Sequence, residues 1–166
     1  MMNFNYTKSF IISIIIFILG CETNENYTTN DPNIIIIYTD DLGYGDVSAY
    51  QKGILKTPNI DKLANEGIRF NFGYASSATC SPSRYALLTG KYPWRKDGLR
   101  VITGGSLVID TTEMTIPKLL KRKNYHTGIV GKWHLGLGSG DGVAGSGIID
   151  YNSTISPGPN EVGFDY

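Results

Sequence analysis

The sequence is poor in the features that define several protein classes. Its 166 residues include only two cysteines, Cys21 and Cys80, and each has an explanation other than a disulfide. Fifteen basic and fifteen acidic residues cancel, so no overall basic field attracts nucleic acid, and we expect no nucleic-acid partner. The longest apolar run, residues 10–19, is too short to span a bilayer as a helix.

The remaining composition is that of an ordinary globular protein. The hydrophobic content of 41% is enough for one modest core. The 20 glycines fall mostly in short motifs and in the stretch from Gly131 to Gly147. Such glycines indicate loops that approach a ligand or a metal closely.

The N-terminus has the pattern of an export signal. Lys8 precedes an apolar run that ends in Gly20 and Cys21, so residues 1–20 are interpreted as a signal peptide. The segment Ile18–Cys21 resembles the lipobox of bacterial lipoproteins, in which the cysteine is lipidated. An ordinary signal peptide with a chance cysteine is the alternative. The lipoprotein interpretation predicts a periplasmic or outer-membrane protein, attached to the membrane through a lipid only.

Beyond the signal, the chain alternates between strand-like and helix-like segments. Residues 21–32 are polar and aperiodic and predict a flexible tether, so folding should begin at Asn33. The alternation predicts an α/β fold with a mostly parallel sheet flanked by helices. The predicted strands are Ile34–Tyr38, Ile68–Phe72 and His126–Val130, and the predicted helices begin near Thr57–Pro58, Ser81–Pro82 and Thr115.

Two acidic residues follow the first predicted strand. Asp40 and Asp41 would lie at the carboxyl end of a sheet, where ligand sites form. Adjacent carboxylates repel each other unless a cation neutralises them, and oxygen ligands suit Ca²⁺ or Mg²⁺. A solvated turn is the alternative interpretation.

Two further motifs carry candidate site residues. Cys80-Ser81-Pro82-Ser83-Arg84 opens a predicted helix, whose free N–H groups favour an anion. Gly131-Lys132-Trp133-His134-Leu135-Gly136 follows a predicted strand, and Lys132, His134 and Arg84 supply three donors for an anion. The alternatives are a buried structural cysteine and solvated cations beside a packed tryptophan.

Together these motifs resemble type I sulfatases. The matching segments are Cys80–Gly90, Ile36–Asp46 and Gly131–Gly136; Lys91 departs from the arginine common in the family. The resemblance implies an alkaline-phosphatase-like fold and conversion of Cys80 to formylglycine by a formylglycine-generating or sulfatase-maturating enzyme. One hydroxyl of the hydrated aldehyde would attack sulfur and expel the alcohol, and the other would then lose its proton to release sulfate.

The resemblance also implies roles for particular residues. Asp40, Asp41 and the modified Cys80 would bind one Ca²⁺, with Mg²⁺ as the less favoured ion. Arg84, Lys132 and His134 would be catalytic with Cys80. The substrate would be a sulfated small molecule or a glycan, that is, an aryl sulfate or a sulfated carbohydrate.

The match runs over residues 33–166 but corresponds to only the N-terminal part of a sulfatase catalytic domain. Further metal and sulfate ligands and further strands come later in the family, so we expect an incomplete sheet and an inactive fragment. Two alternatives stay open. One is a phosphoester or phosphonate hydrolase of the same superfamily, and the other is a non-catalytic surface lipoprotein that binds sulfated glycans.

Overall fold

The computed structural model describes residues 31–51, 53, 55–102, 104–139 and 149–166. The predicted signal peptide, Cys21 and most of the predicted tether lie outside these ranges, so export and lipidation stay predictions. The chain divides into two units at Tyr38 and Thr39. The described residues of the first unit, 31–38, are exposed and form no helix or strand.

Three α-helices form in the second unit. They are α1 (Pro58–Glu66), α2 (Cys80–Thr89) and α3 (Ile116–Lys121), with 3₁₀ turns at Tyr44–Asp46 and Pro93–Arg95. All three helices were predicted, because each begins at a local signal: proline lies in the first turn of every one. None of the helices in the described ranges is long and apolar enough to span a bilayer.

The second helix lies in the hydrophobic core, and this burial fixes the position of Cys80 at its start. Most of α2 is buried, including Ser81, Tyr85 and Leu88. The helix ends at Gly90, whose φ of 68° is left-handed. The core cluster consists of Tyr85, Leu88, Ile102, Leu107, Val108, Ile109, Leu135 and Val162.

The third helix connects this core to the C-terminal segment. Thr115 precedes α3, and its side chain accepts a hydrogen bond from the Lys118 N–H. The Thr115 hydroxyl in turn donates to the Val162 carbonyl at 2.5 Å. Because Thr115 and Val162 are both buried, this hydrogen bond ties the start of α3 to the end of the chain.

The predicted strands do not form in the described part of the chain. Residues 34–38 and 68–72 are exposed, and the latter enter a turn at residues 71–72. Residues 126–130 form no assigned strand, although Thr127 accepts a backbone hydrogen bond from Asp165 and Ile129 donates one to Tyr166. These three strand predictions were wrong for this structure, and the parallel sheet is not confirmed. The physical reason is that β propensity reflects packing against neighbouring strands rather than a preference of the backbone alone.

Candidate active site

Cys80 is the first residue of α2. Thr79 before it is extended, with φ of −122° and ψ of 153°, and the first helical bond runs from the Ser83 N–H to the Thr79 carbonyl at 3.1 Å. Cys80 is half-buried and is not in a disulfide. Its side chain therefore lies at the helix end where backbone N–H groups and the helix dipole favour negative charge.

Three separate segments bring charged groups to this cysteine. The Lys132 ammonium donates to Asp40 Oδ2 at 2.7 Å and lies 3.7 Å from Cys80 Sγ. One nitrogen of the Arg84 guanidinium is 3.5 Å from Asp40 Oδ1, and another donates to the Lys132 carbonyl at 2.5 Å. We call Asp40, Cys80, Arg84 and Lys132 the Cys80 cluster.

The charges within the Cys80 cluster reinforce one another. The hydrogen bond from Lys132 is the main cause that lowers the pKa of Asp40; the Cys80 thiol and Arg84 act in the same direction, and desolvation opposes them. Conversely, the hydrogen bond to Asp40 is the main cause that raises the pKa of Lys132. Two cations face one carboxylate, so the cluster has a net positive charge suited to an anion.

Asp41, the second predicted metal ligand, does not join the cluster. It is exposed, and its φ of 57° is left-handed. Among the described residues no three His, Cys, Asp or Glu side chains are grouped to hold a metal. Asp40 and Asp41 therefore offer two carboxylates to a cation that takes six to eight oxygen ligands, and by themselves they do not form a calcium site.

His134 lies in the same segment as Lys132 but contacts a different partner. Its Nε2 is 2.5 Å from the Ile102 carbonyl, so this nitrogen carries the proton. Its Nδ1 is buried and has no hydrogen-bond partner in the part of the chain that the structure describes. His134 is also left-handed, with φ of 55°. The structure thus brings Asp40, Arg84 and Lys132 to Cys80 and holds His134 at Ile102.

Two residues near the site, Ser81 and Ile102, were not predicted to take part in it. The Ser81 side chain is fully buried, and its Oγ accepts from the Ile102 N–H at 3.3 Å. Ile102 contacts Ser81 and His134 through its backbone N–H and carbonyl, and such contacts cannot be recognised from the residue type. Ser81 was visible inside the Cys80 motif, where only its role in starting the helix was considered.

Lys91, which departs from the family pattern, forms an ion pair with Glu113. Lys91 donates to Glu113 at 2.8 Å, and the buried Tyr85 hydroxyl contacts the same carboxylate. The hydrogen bond to Glu113 is the main cause that raises the pKa of Lys91. Lysine thus serves as an ion-pair partner beyond the end of α2, outside the Cys80 cluster.

Comparison with known proteins decides the family of this chain. The model of the family described as Sulfatase matches residues 32–166. The chain belongs to the sulfatase family. This sulfatase chain is 45% identical over 157 residues to an N-acetylgalactosamine-6-O-sulfatase of Bacteroides thetaiotaomicron, covering 92% of the chain. It is 42% identical over 120 residues to human steryl-sulfatase, covering 68% of the chain.

Solved structures support a shared fold. A sulfatase structure from work on glycosaminoglycan metabolism by Bacteroides thetaiotaomicron matches 81% of the chain, with 49% identity and a TM-score of 0.74. The structure of Ps i-CgsB in complex with k-i-k-neocarrahexaose matches 76% of it, with 38% identity and a TM-score of 0.59. The chain spans 30% of the bacterial relative, 21% of the human one, and 27% and 25% of the two solved chains.

Proposed function

We propose that this sulfatase chain contributes the nucleophile and two sulfate-binding cations to an enzyme that hydrolyses sulfate esters of carbohydrates. The observation that carries the proposal is the Cys80 cluster, in which a cysteine at a helix N-terminus meets Lys132 and Arg84. An anion in this position would receive charge-assisted hydrogen bonds from both side chains and from the helix end.

Each residue of the cluster has a defined task in this proposal. Lys132 and Arg84 bind the sulfate and stabilise the charge that develops on its oxygens and on the leaving alcohol. A formylglycine made from Cys80 would supply a hydrated aldehyde as the nucleophile. The unprotonated Nδ1 of His134 would accept a proton from a hydroxyl, because Nε2 already donates to Ile102.

Calcium is a further part of the proposal. Asp40, Asp41 and the formylglycine made from Cys80 would provide three of its ligands, and among the described residues no three His, Cys, Asp or Glu side chains are grouped to complete the site. Asp40 now accepts from Lys132, so it would exchange this partner for the cation. That exchange would release the Lys132 ammonium toward the sulfate.

The substrate class follows from the relatives. One relative is an N-acetylgalactosamine-6-O-sulfatase, and one solved neighbour is in complex with k-i-k-neocarrahexaose. We therefore propose a sulfated carbohydrate as the substrate and a formylglycine-generating or sulfatase-maturating enzyme as a partner. Export as a lipoprotein through Cys21 fits a substrate outside the cell and is proposed on the sequence alone. The expected inactivity of residues 33–166 by themselves also stays a prediction.

The test compares sulfate and phosphate esters of the same phenol on the complete enzyme to which this chain contributes, matured in a host that forms formylglycine. Mass spectrometry of the peptide that contains residue 80 reports the conversion of Cys80. We expect turnover of the aryl sulfate, little turnover of the phosphate, and release of sulfate from a sulfated oligosaccharide.

Cys80→Ala is the matched variant for this test. It removes the nucleophile without adding bulk, so turnover should fall to background while sulfate still binds to Lys132 and Arg84. Preferred turnover of the phosphate would favour the phosphohydrolase alternative. Bound sulfated oligosaccharide without turnover, with Cys80 unmodified in a competent host, would favour a binding protein and would overturn the proposal.

A further inference from the structure

The first turn of α2 contacts the segment 132–134 through the side chains of Cys80 and Arg84. It is also connected to His134 through Ser81. Cys80 and Arg84 both contact Lys132, as described above. Ser81, between them in sequence, faces away from solvent with no exposed surface. Its hydroxyl accepts from the Ile102 N–H at 3.3 Å, and the carbonyl of the same residue accepts from His134 Nε2 at 2.5 Å.

These contacts form one continuous connection from the nucleophile to the histidine. It runs from Cys80 to its neighbour Ser81, through both backbone polar groups of Ile102, to the His134 ring. Ile102 is 2% exposed, so water does not substitute for either partner. The Ile102 backbone is therefore oriented on one side by Ser81 and orients His134 on the other.

His134 needs such an external constraint. Its left-handed backbone is uncommon for a residue with a side chain and persists only where the surroundings hold it. The hydrogen bond to Ile102 also fixes the tautomer, because a proton on Nε2 leaves Nδ1 as the acceptor. Nδ1 is the buried atom that has no partner within the described ranges, so it is free to accept a proton.

We propose that Ser81 is a positioning residue for His134, acting through the Ile102 backbone. This inference rests on the proposed function, in which His134 accepts a proton at the reacting centre. Loss of the Ser81 hydroxyl removes the acceptor of the Ile102 N–H, so the Ile102 backbone is no longer held at its amide. Its carbonyl can then shift, and His134 loses its fixed orientation. Substrate binding by Lys132 and Arg84 is untouched.

The kinetic test uses Ser81→Ala in the complete matured enzyme to which this chain contributes, with turnover divided by the fraction of residue 80 converted. We expect kcat for an aryl sulfate to fall about tenfold or more, with KM within about twofold, as for a misplaced proton acceptor. Ser81→Thr keeps the hydroxyl and should recover most of kcat. Thr115→Val, which removes another buried hydroxyl, should leave kcat unchanged.

A double-mutant cycle separates positioning from general damage. If Ser81 acts through His134, the double variant Ser81→Ala/His134→Ala should be no slower than His134→Ala alone, within about threefold. If the two losses multiply, or if Ser81→Ala leaves kcat unchanged, the proposal is wrong.

A second measurement needs no turnover and so distinguishes this inference from the proposed function. Exchange of the His134 Nε2 proton with water, followed by ¹⁵N-edited NMR, should be slow in the parent and in Thr115→Val. It should be at least about tenfold faster in Ser81→Ala, because the Ile102 acceptor is no longer fixed. Equal exchange in all three proteins would overturn the inference, whether or not the protein hydrolyses sulfate esters.

Discussion

Lys132 contacts each of the other three residues of the Cys80 cluster. Its ammonium contacts Asp40 and Cys80, and its carbonyl accepts from Arg84. A substitution of Lys132 retains the backbone carbonyl that accepts from Arg84, but it removes the ammonium contacts to Asp40 and Cys80. Substitution of Lys132 therefore tests the role of its positive charge without removing the backbone contact to Arg84.

Lys132→Met should lower kcat/KM for an aryl sulfate by roughly 10²-fold or more, the scale of losing one preorganised donor to a developing oxyanion. The expected physical cause is loss of positive charge, since methionine has a similar length. Steady-state kinetics on fully converted protein measure the effect. Lys62→Met is the control, because Lys62 forms an exposed pair with Glu66 at 3.9 Å, away from the Cys80 cluster. A Lys132→Met variant with parental kcat/KM would remove Lys132 from the mechanism.

Asp165 predicts a pH dependence of stability. Its pKa falls from 3.8 to about 2, chiefly through the hydrogen bond from Lys121 and then the Thr127 N–H. Because the folded-state pKa lies below the unfolded value, Asp165 stabilises the fold above pH 3.8, and this contribution is lost as the pH falls toward about 2.

Asp165→Asn should therefore flatten the loss of Tm between about pH 5 and pH 2. Thermal unfolding followed by circular dichroism at several pH values measures the slope. Asp97→Asn, at an exposed position in the turn after Pro93–Arg95, is the matched control. Parallel slopes for the parent and Asp165→Asn would show that the Lys121 and Thr127 contacts do not persist in solution.

At the scale of elements, α2 carries the site and ends in a conformation that favours glycine. Gly90 has φ of 68°, and a Cβ at this position would meet no atom within 4 Å. Gly90→Ala should thus cost about 1 kcal/mol through backbone conformation alone, without a clash. Gly90→Asn should cost less, because asparagine tolerates the left-handed region.

Urea unfolding of the unmodified protein measures both variants and avoids any effect of this motif on maturation. An alanine variant as stable as the parent, or an asparagine variant less stable than alanine, would contradict the left-handed cap at the end of α2.

The helices could be predicted from sequence and the strands could not. Pro58 in the first turn and Gly67 beyond the last are signals within a few residues of the helix they bound, and both were found where expected. The apolar run Ile34–Tyr38 has the composition of a strand, but a strand also needs a neighbouring strand to pair with. That partner is distant in sequence, so local signals do not reveal it. Local signals therefore identified α1, α2 and α3, while the sheet stays a prediction.

The same distinction applies to the site. Arg84 lies one helical turn after Cys80, and Lys132 belongs to a recognisable motif, so both were predicted and both reach the cluster. The Ile102 backbone could not be predicted to accept from His134, because any residue offers a carbonyl.

At the scale of the molecule, many large apolar side chains are exposed in the part of the chain that the structure describes. Ile35 is 83% exposed, Phe72 84% and Val130 95%. Monomeric proteins rarely leave large contiguous apolar patches in water, so side chains of this size are expected to find a partner. The curated relatives are more than three times as long as the region matched here.

The isolated 166-residue chain should therefore bind a hydrophobic dye such as ANS and self-associate. Dye fluorescence and analytical ultracentrifugation measure the two effects. Replacing Ile35, Phe72 and Val130 together by threonine should reduce both. The buried-core variant Leu135→Ala, which leaves these surfaces apolar, should not reduce either. Monomeric chain without dye binding would mean that these side chains pack in solution.

The left-handed backbone at Asp41 and His134 restricts which sequences this site can explore. Aspartate and histidine are among the few residue types enriched in that conformation. Both residues therefore suit the local backbone, independently of any role in binding or catalysis. In a saturation library scored only for folding, glycine and asparagine should survive at both positions, and valine and isoleucine should be depleted. Backbone conformation thus limits substitution at these two positions to a narrow set of residues, whether or not the chain takes part in catalysis.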